Sequence, residues 1–163
     1  HRDVKPENLV LTLEGGRLVV KVVDFGLARA PETERGLTRT GMVVGTPAFM
    51  APEQVLDGRV SAATDAYALA AVAWEALTGV RLVKGEAVGA IFHEILGEKA
   101  SPPSLFRPGL TAEVDEVLLA ALAKSPGERP SDAEEWGRRL AAALAVVPAA
   151  EPGWGEAAPR GGA

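Results

Sequence analysis

Two apolar stretches, Leu9–Leu13 and Leu18–Val23, flank the short segment "EGG". Both are rich in valine and leucine, so the pattern predicts a β-hairpin with its turn at the glycines. Residues 27–60 sustain no period and hold recurrent Gly, Pro and Thr. They predict a long loop region, which in a compact domain usually serves function. Helical spacing then takes over. Ser61 is placed to cap a helix that runs to Thr78 and stops at Gly79. Its "AYALAAVAW" core is apolar on every side, the mark of a helix buried in a core. Val88, Ile91, Phe92 and Ile95 share one face of a second helix, closed by Gly97. "SPPSLFRPG" predicts a loop. Val114, Val117, Leu118, Ala121 and Leu122 stripe a third helix. Ser131 and Glu134 read as a capping box for a fourth, whose Trp136, Leu140 and Leu144 align. From Pro148 onward Pro, Gly and Ala follow no pattern, so residues 148–163 are expected to be a disordered linker after a domain of residues 1–147.

The 163 residues suffice for one domain with a core, and 47% hydrophobic with 24% charged residues fits a globular chain. Net charge is -5, and residues 1–60 carry eight charges of each sign. No basic stripe emerges, which argues against a nucleic-acid partner. The absence of cysteine excludes a disulfide framework and a thiolate metal site, and fits a cytoplasmic location. The most apolar run is far too short to span a bilayer.

Asp24 interrupts the apolar run "LVVKVVDF". A carboxylate at the end of a buried strand needs a partner. It reads either as a turn residue satisfied by backbone N–H groups or as a cation ligand, brought into a cleft by the turn that Gly26 permits. Asp3, Lys5 and Asn8 stand in a segment that Pro6 keeps from being helical. Asn8 and Asp24 offer oxygens of the kind Mg²⁺ takes beside waters and phosphates. Lys5 supplies a positive point charge for a phosphate, and Asp3 is left to accept a proton. Singly, each residue favours a polar surface loop; the combination favours the site.

"HRDVKPEN" resembles the catalytic loop of protein kinases, and "DFG" their metal-binding motif. "GTPAFMAPE" is similar to the end of a kinase activation segment, "TDAYALAAVAWEALTG" to the central helix of the large lobe, and "ERP" to the site whose arginine pairs with the glutamate of "APE". The resemblance covers residues 1 to about 147, and "LTRTGMVVGTPAFMAPEQ" looks most like bacterial serine/threonine kinases of eukaryotic type. It implies an α+β, protein-kinase-like fold: a mainly helical large lobe with a short β-hairpin, and no amino-terminal lobe.

It implies roles as well. Asp3 would orient the substrate hydroxyl and take its proton. Lys5 would steady the transferring phosphate, and Thr46 would help fix both. Asn8 and Asp24 would hold Mg²⁺ against ATP. Glu7 and Val10 would join the nucleotide site, with Leu9, Val10 and Leu11 beneath the adenine ring. Asp65 would hold the backbone of His1 and Arg2, His1 would stack on Phe25, and Glu53 with Arg129 would form a buried brace. Arg2 would grip phosphate placed on Thr38 or Thr40 by self-associated kinase molecules, with Arg29 as a second cation. The partners implied are ATP and a protein bearing Ser or Thr.

No G-x-G-x-x-G occurs, and Lys21 stands three residues before "DFG", where the strand entering that motif belongs. Lys21 is therefore rejected as the phosphate-pairing strand lysine. Because the chain opens on His1 rather than Met, it is expected to be the back half of a kinase domain, inactive by itself. The alternative reading is a non-catalytic pseudokinase or scaffold.

Overall fold

The computed structural model describes residues 1–25, 47–56 and 58–148. Leu9–Glu14 (β1) and Arg17–Val22 (β2) form an antiparallel hairpin with Glu14 opposite Arg17. The turn is left to Gly15 and Gly16, whose φ values of 56° and 79° are both positive, as a two-residue turn matching the strand twist requires. The hairpin is not a buried element. Leu9, Leu11 and Leu13 lie opposite Val22, Val20 and Leu18 on one wholly apolar face, and Leu13 is 75% exposed. The expectation of a buried strand ahead of Asp24 is corrected accordingly.

The region read as loop holds a short 3-10 turn, Pro47–Phe49, and a one-turn helix, Pro52–Val55 (α1). Proline opens both, since its missing N–H costs nothing at a first helical position. Pro47, Ala48, Phe49, Ala51 and Pro52 are all buried. Pro6 likewise opens a 3-10 turn, Pro6–Asn8, rather than excluding helical structure altogether.

Ala62–Thr78 (α2) is the central helix. Ser61 Oγ accepts from Ala63 N at 3.2 Å, Thr64 Oγ1 accepts from Ser61 N at 3.0 Å, and Gly79 ends the helix with φ 72°. With it stand Val88–Gly97 (α3), packed on α1 and Pro47–Phe49, Ala112–Ala121 (α4), packed on α2, and Ala133–Leu144 (α5), packed on α4. Trp74, Ile95, Val114, Leu118 and Trp136 fill the space between them. Both buried indoles keep a polar partner: Trp74 Nε1 donates to Ser101 O and Trp136 Nε1 to Val117 O, each at 2.9 Å. Helix α3 extends through Gly97, with Glu98 as its cap. The expected Ser131 cap is corrected: Asp132 caps α5, accepting from Glu134 N at 2.8 Å and Glu135 N at 3.1 Å.

Candidate active site

The segment from His1 to Asn8 is tied to the body at several points. Asp65, in the first turn of α2, accepts from the His1 backbone nitrogen and from Arg2 N, both at 2.7 Å. Gln54 Nε2, from α1, donates to Arg2 O at 3.0 Å. Arg2 has φ 70° and Asp24 has φ 58°; among the described residues no other non-glycine residue adopts positive φ. That region costs a residue with a Cβ roughly 1–2 kcal/mol, so both positions are held by their surroundings.

Within the segment the polar groups converge. Asp3 Oδ2 meets Lys5 Nζ at 3.0 Å. Buried Asn8 donates from Nδ2 to Asp3 O at 2.8 Å and to Asp3 Oδ2 at 3.4 Å. The Asn8 backbone carbonyl accepts from Val23 N at 2.9 Å, and Val23 O lies 3.0 Å from His1 Nε2. Asp24 follows directly, its side chain exposed, and Phe25 meets the His1 ring at a centroid separation of 5.0 Å. One asparagine thus joins the loop of Asp3 to the strand end of Asp24.

The donor set suits a hard cation. With its Nδ2 turned to Asp3, Asn8 retains its amide oxygen as a ligand, and the Asp24 carboxylate adds a second oxygen. No cluster of three His, Asp or Glu side chains stands together among the described residues, so a cation here would complete its shell from water and phosphate.

The other expected residues fall as follows. Glu7 is exposed on the 3-10 turn. Val10 lies on the opposite face of β1 from Leu9 and Leu11, so these three do not make one floor for a ring. Lys21 shares the face of Val10 and pairs with Glu14. Gly26, Arg29, Thr38, Thr40 and Thr46 lie outside the described residues.

Behind the site, Arg129 Nη1 and Nη2 donate to Glu53 Oε1 and Oε2, both at 2.8 Å. The two residues are 7% and 5% exposed despite 76 positions of separation. Arg129 also donates to the carbonyls of Ala63, Ala123 and Lys124. Burial pushes the Glu53 carboxyl up, but the Arg129 hydrogen bonds, a backbone bond and the Thr64 hydroxyl outweigh it and hold it below the usual range. The Tyr67 ring lies 4.9 Å beneath the guanidinium, and burial pushes its phenol up to about 12 against the opposing pull of Arg129.

Sequence reasoning passed over two residues. Thr64, buried, donates from Oγ1 to Glu53 Oε1 at 2.8 Å. Gln54 bridges α1 to Arg2. Each directly follows or precedes a residue singled out in the sequence, Glu53 and Asp65, and that adjacency was the signal available.

A helical body with a polar loop lodged between its central helix and a β-hairpin is the architecture of a protein kinase large lobe. The chain belongs to the protein kinase domain family, which matches residues 1–139. It is similar to the serine/threonine-protein kinase Pkn1 of Myxococcus xanthus, 38% identical over 148 residues covering 89% of this chain and 21% of that protein. It is 39% identical to PknB of Mycobacterium tuberculosis over 136 residues, covering 83% and 21% respectively. The crystal structure of the M. tuberculosis PknI kinase domain superposes with a TM-score of 0.62 at 29% identity, covering 88% of this chain and 46% of that domain. The chain therefore spans about a fifth of these curated relatives and just under half of the solved domain.

Proposed function

We propose that these residues carry the catalytic-loop half of a serine/threonine protein kinase, which moves the γ-phosphate of ATP to a protein hydroxyl. The carrying observation is the Asn8 node, which joins Asp3, Lys5 and the Val23–Asp24 strand end in one bonded group. In this reading Asp3 accepts the proton of the attacking hydroxyl, and Lys5 balances charge on the phosphoryl oxygens as they separate. Asn8 Oδ1 and the Asp24 carboxylate would hold Mg²⁺, which when bound would neutralise the phosphate charge. Phosphoryl transfer asks mainly for positioning and charge compensation, and the anchoring of residues 1–8 by Asp65 and Gln54 suits that need. A role for Thr46 in fixing Asp3 and Lys5, phosphate on Thr38 or Thr40 gripped by Arg2 after self-association, and a cytoplasmic location belong to the same reading.

The test joins this chain behind the amino-terminal half of the PknB kinase domain and follows transfer from Mg²⁺-ATP to a basic protein. Asp3→Asn and Asp24→Asn are expected to bring transfer to background while the melting temperature holds. The 163 residues alone are expected to transfer negligibly; turnover near ~1 s⁻¹, the low end for kinases, contradicts that expectation. A joined Asp3→Asn protein working at the unsubstituted rate overturns the proposal.

A further inference from the structure

We propose that Gln54 is a positioning residue for Asp3: its amide ties the Arg2 carbonyl, and with it the peptide leading into Asp3, to the start of α1. The inference rests on the kinase reading for its consequence and on geometry for its existence. Gln54 is fixed at both ends. Its Oε1 accepts from Ala51 N at 3.0 Å while its Nε2 donates to Arg2 O at 3.0 Å. One partner is a donor and the other an acceptor, so the amide satisfies both in a single orientation.

What it grips is unusual. Arg2 holds φ 70°, a conformation its Cβ opposes. Asp65 fixes the N–H side of this residue, through His1 N and Arg2 N. Gln54 fixes the carbonyl side. The Arg2 carbonyl and the Asp3 N–H share one rigid peptide plane, so a bond to that oxygen sets the direction in which the Asp3 Cα leaves. The carboxylate beyond it must reach Lys5 Nζ at 3.0 Å and Asn8 Nδ2 at 3.4 Å. A small rotation of the plane breaks that register. Because Gln54 adjoins Glu53 of the buried brace, movement of the segment around Pro47–Leu56 is transmitted to Asp3 through the Arg2 peptide.

The bond to Arg2 lies near solvent, where water can replace it, so its loss alters orientation more than stability. That separates two substitutions. Gln54→Ala loses both bonds. Gln54→Glu keeps an acceptor for Ala51 N but sets a carboxylate oxygen against the Arg2 carbonyl. If Gln54 merely caps α1, the Glu variant behaves as the parent; if it positions Asp3, the Glu variant is at least as impaired as the Ala variant. In the 163-residue chain the readout is the ¹³C resonance of the Arg2 carbonyl and the amide resonance of Asp3, both expected to shift in both variants. In the chain joined to the PknB amino-terminal half, both variants are expected to lose roughly tenfold or more in kcat, with KM for ATP within about twofold, as misplacement of a reacting group requires. A Glu variant with parental Arg2 and Asp3 resonances and parental kcat overturns the proposal. Should the joined parent transfer no phosphate, the kinase reading fails and the resonances alone decide the role of Gln54.

Discussion

At the scale of residues, the costliest arrangement is the buried meeting of Glu53, Arg129 and Thr64. Two charges removed from water are tolerable because every oxygen and N–H involved is used. Removing one partner leaves the other charged and buried, so Arg129→Ala is expected to cost about 3–5 kcal/mol in a denaturant melt. Thr64→Val leaves the ion pair whole but strips one bond from a buried carboxylate and the acceptor from Ser61 N, and is expected to cost about 1–3 kcal/mol. The pair also fixes a pH dependence. Glu53 titrates lower when folded than its ordinary 4.5, so its contribution is full above that range and is lost as pH falls through the folded value. Glu75 has the opposite sign: burial raises it, outweighing the Leu82 N–H bond, so its contribution fades as pH rises. The difference between parent and Arg129→Ala isolates Glu53, and their stability gap is expected to narrow as pH is lowered through the ordinary carboxylate value of 4.5 toward the lower folded value of the parent. A gap that stays constant through that window removes the assigned role of the ion pair.

At the scale of elements, the sequence was most legible where one local signal acts alone. The Gly-Gly turn, the Ser61 start and the Gly79 stop need only backbone geometry, and the strand and helix limits follow them closely. Legibility failed where two neighbours offer the same chemistry. Ser131 and Asp132 are both good caps, and the pattern of Glu134 favoured Ser131, yet the chain turns at Asp132. Asp132→Ala is therefore expected to destabilise the fold by about 1 kcal/mol, a typical cap value, whereas Ser131→Ala should fall within about half of that. Equal losses, read by thermal melting, contradict the placement. The site shows the same division. Asp3, Asn8 and Asp24 could be picked out by residue type and spacing, because their chemistry is written in the side chains. The bridging of Arg2 by Gln54 could not, since it joins a side chain to a backbone oxygen 52 positions away. The exposure of β1 and β2 was hidden for a related reason: apolar content announces a face that wants cover, not what covers it.

At the scale of the whole molecule, that exposed face is the dominant feature. Leu9, Leu11, Leu13, Leu18, Val20 and Val22 form a continuous apolar surface on the hairpin, while the helical body buries its own apolar stripes. Contiguous patches of this kind mark either an interface or an aggregation liability. The PknI kinase domain is more than twice the length of its match to this chain, so the family supplies further chain that could lie against the hairpin. The face is expected to bind a hydrophobic fluorescent dye strongly in the 163-residue chain. Replacing Leu11, Leu13, Leu18 and Val20 with threonine keeps β-branched or strand-compatible residues at each position, so the far-ultraviolet spectrum should hold while dye binding falls several-fold. Joining the PknB amino-terminal half should lower dye binding in the parent without any substitution. If the threonine variant binds dye as the parent does, the accessible apolar surface lies elsewhere. If joining leaves parental binding unchanged, the hairpin face is not where the rest of a kinase domain seats, and the Asp3 cleft beside it would have to be completed from another direction.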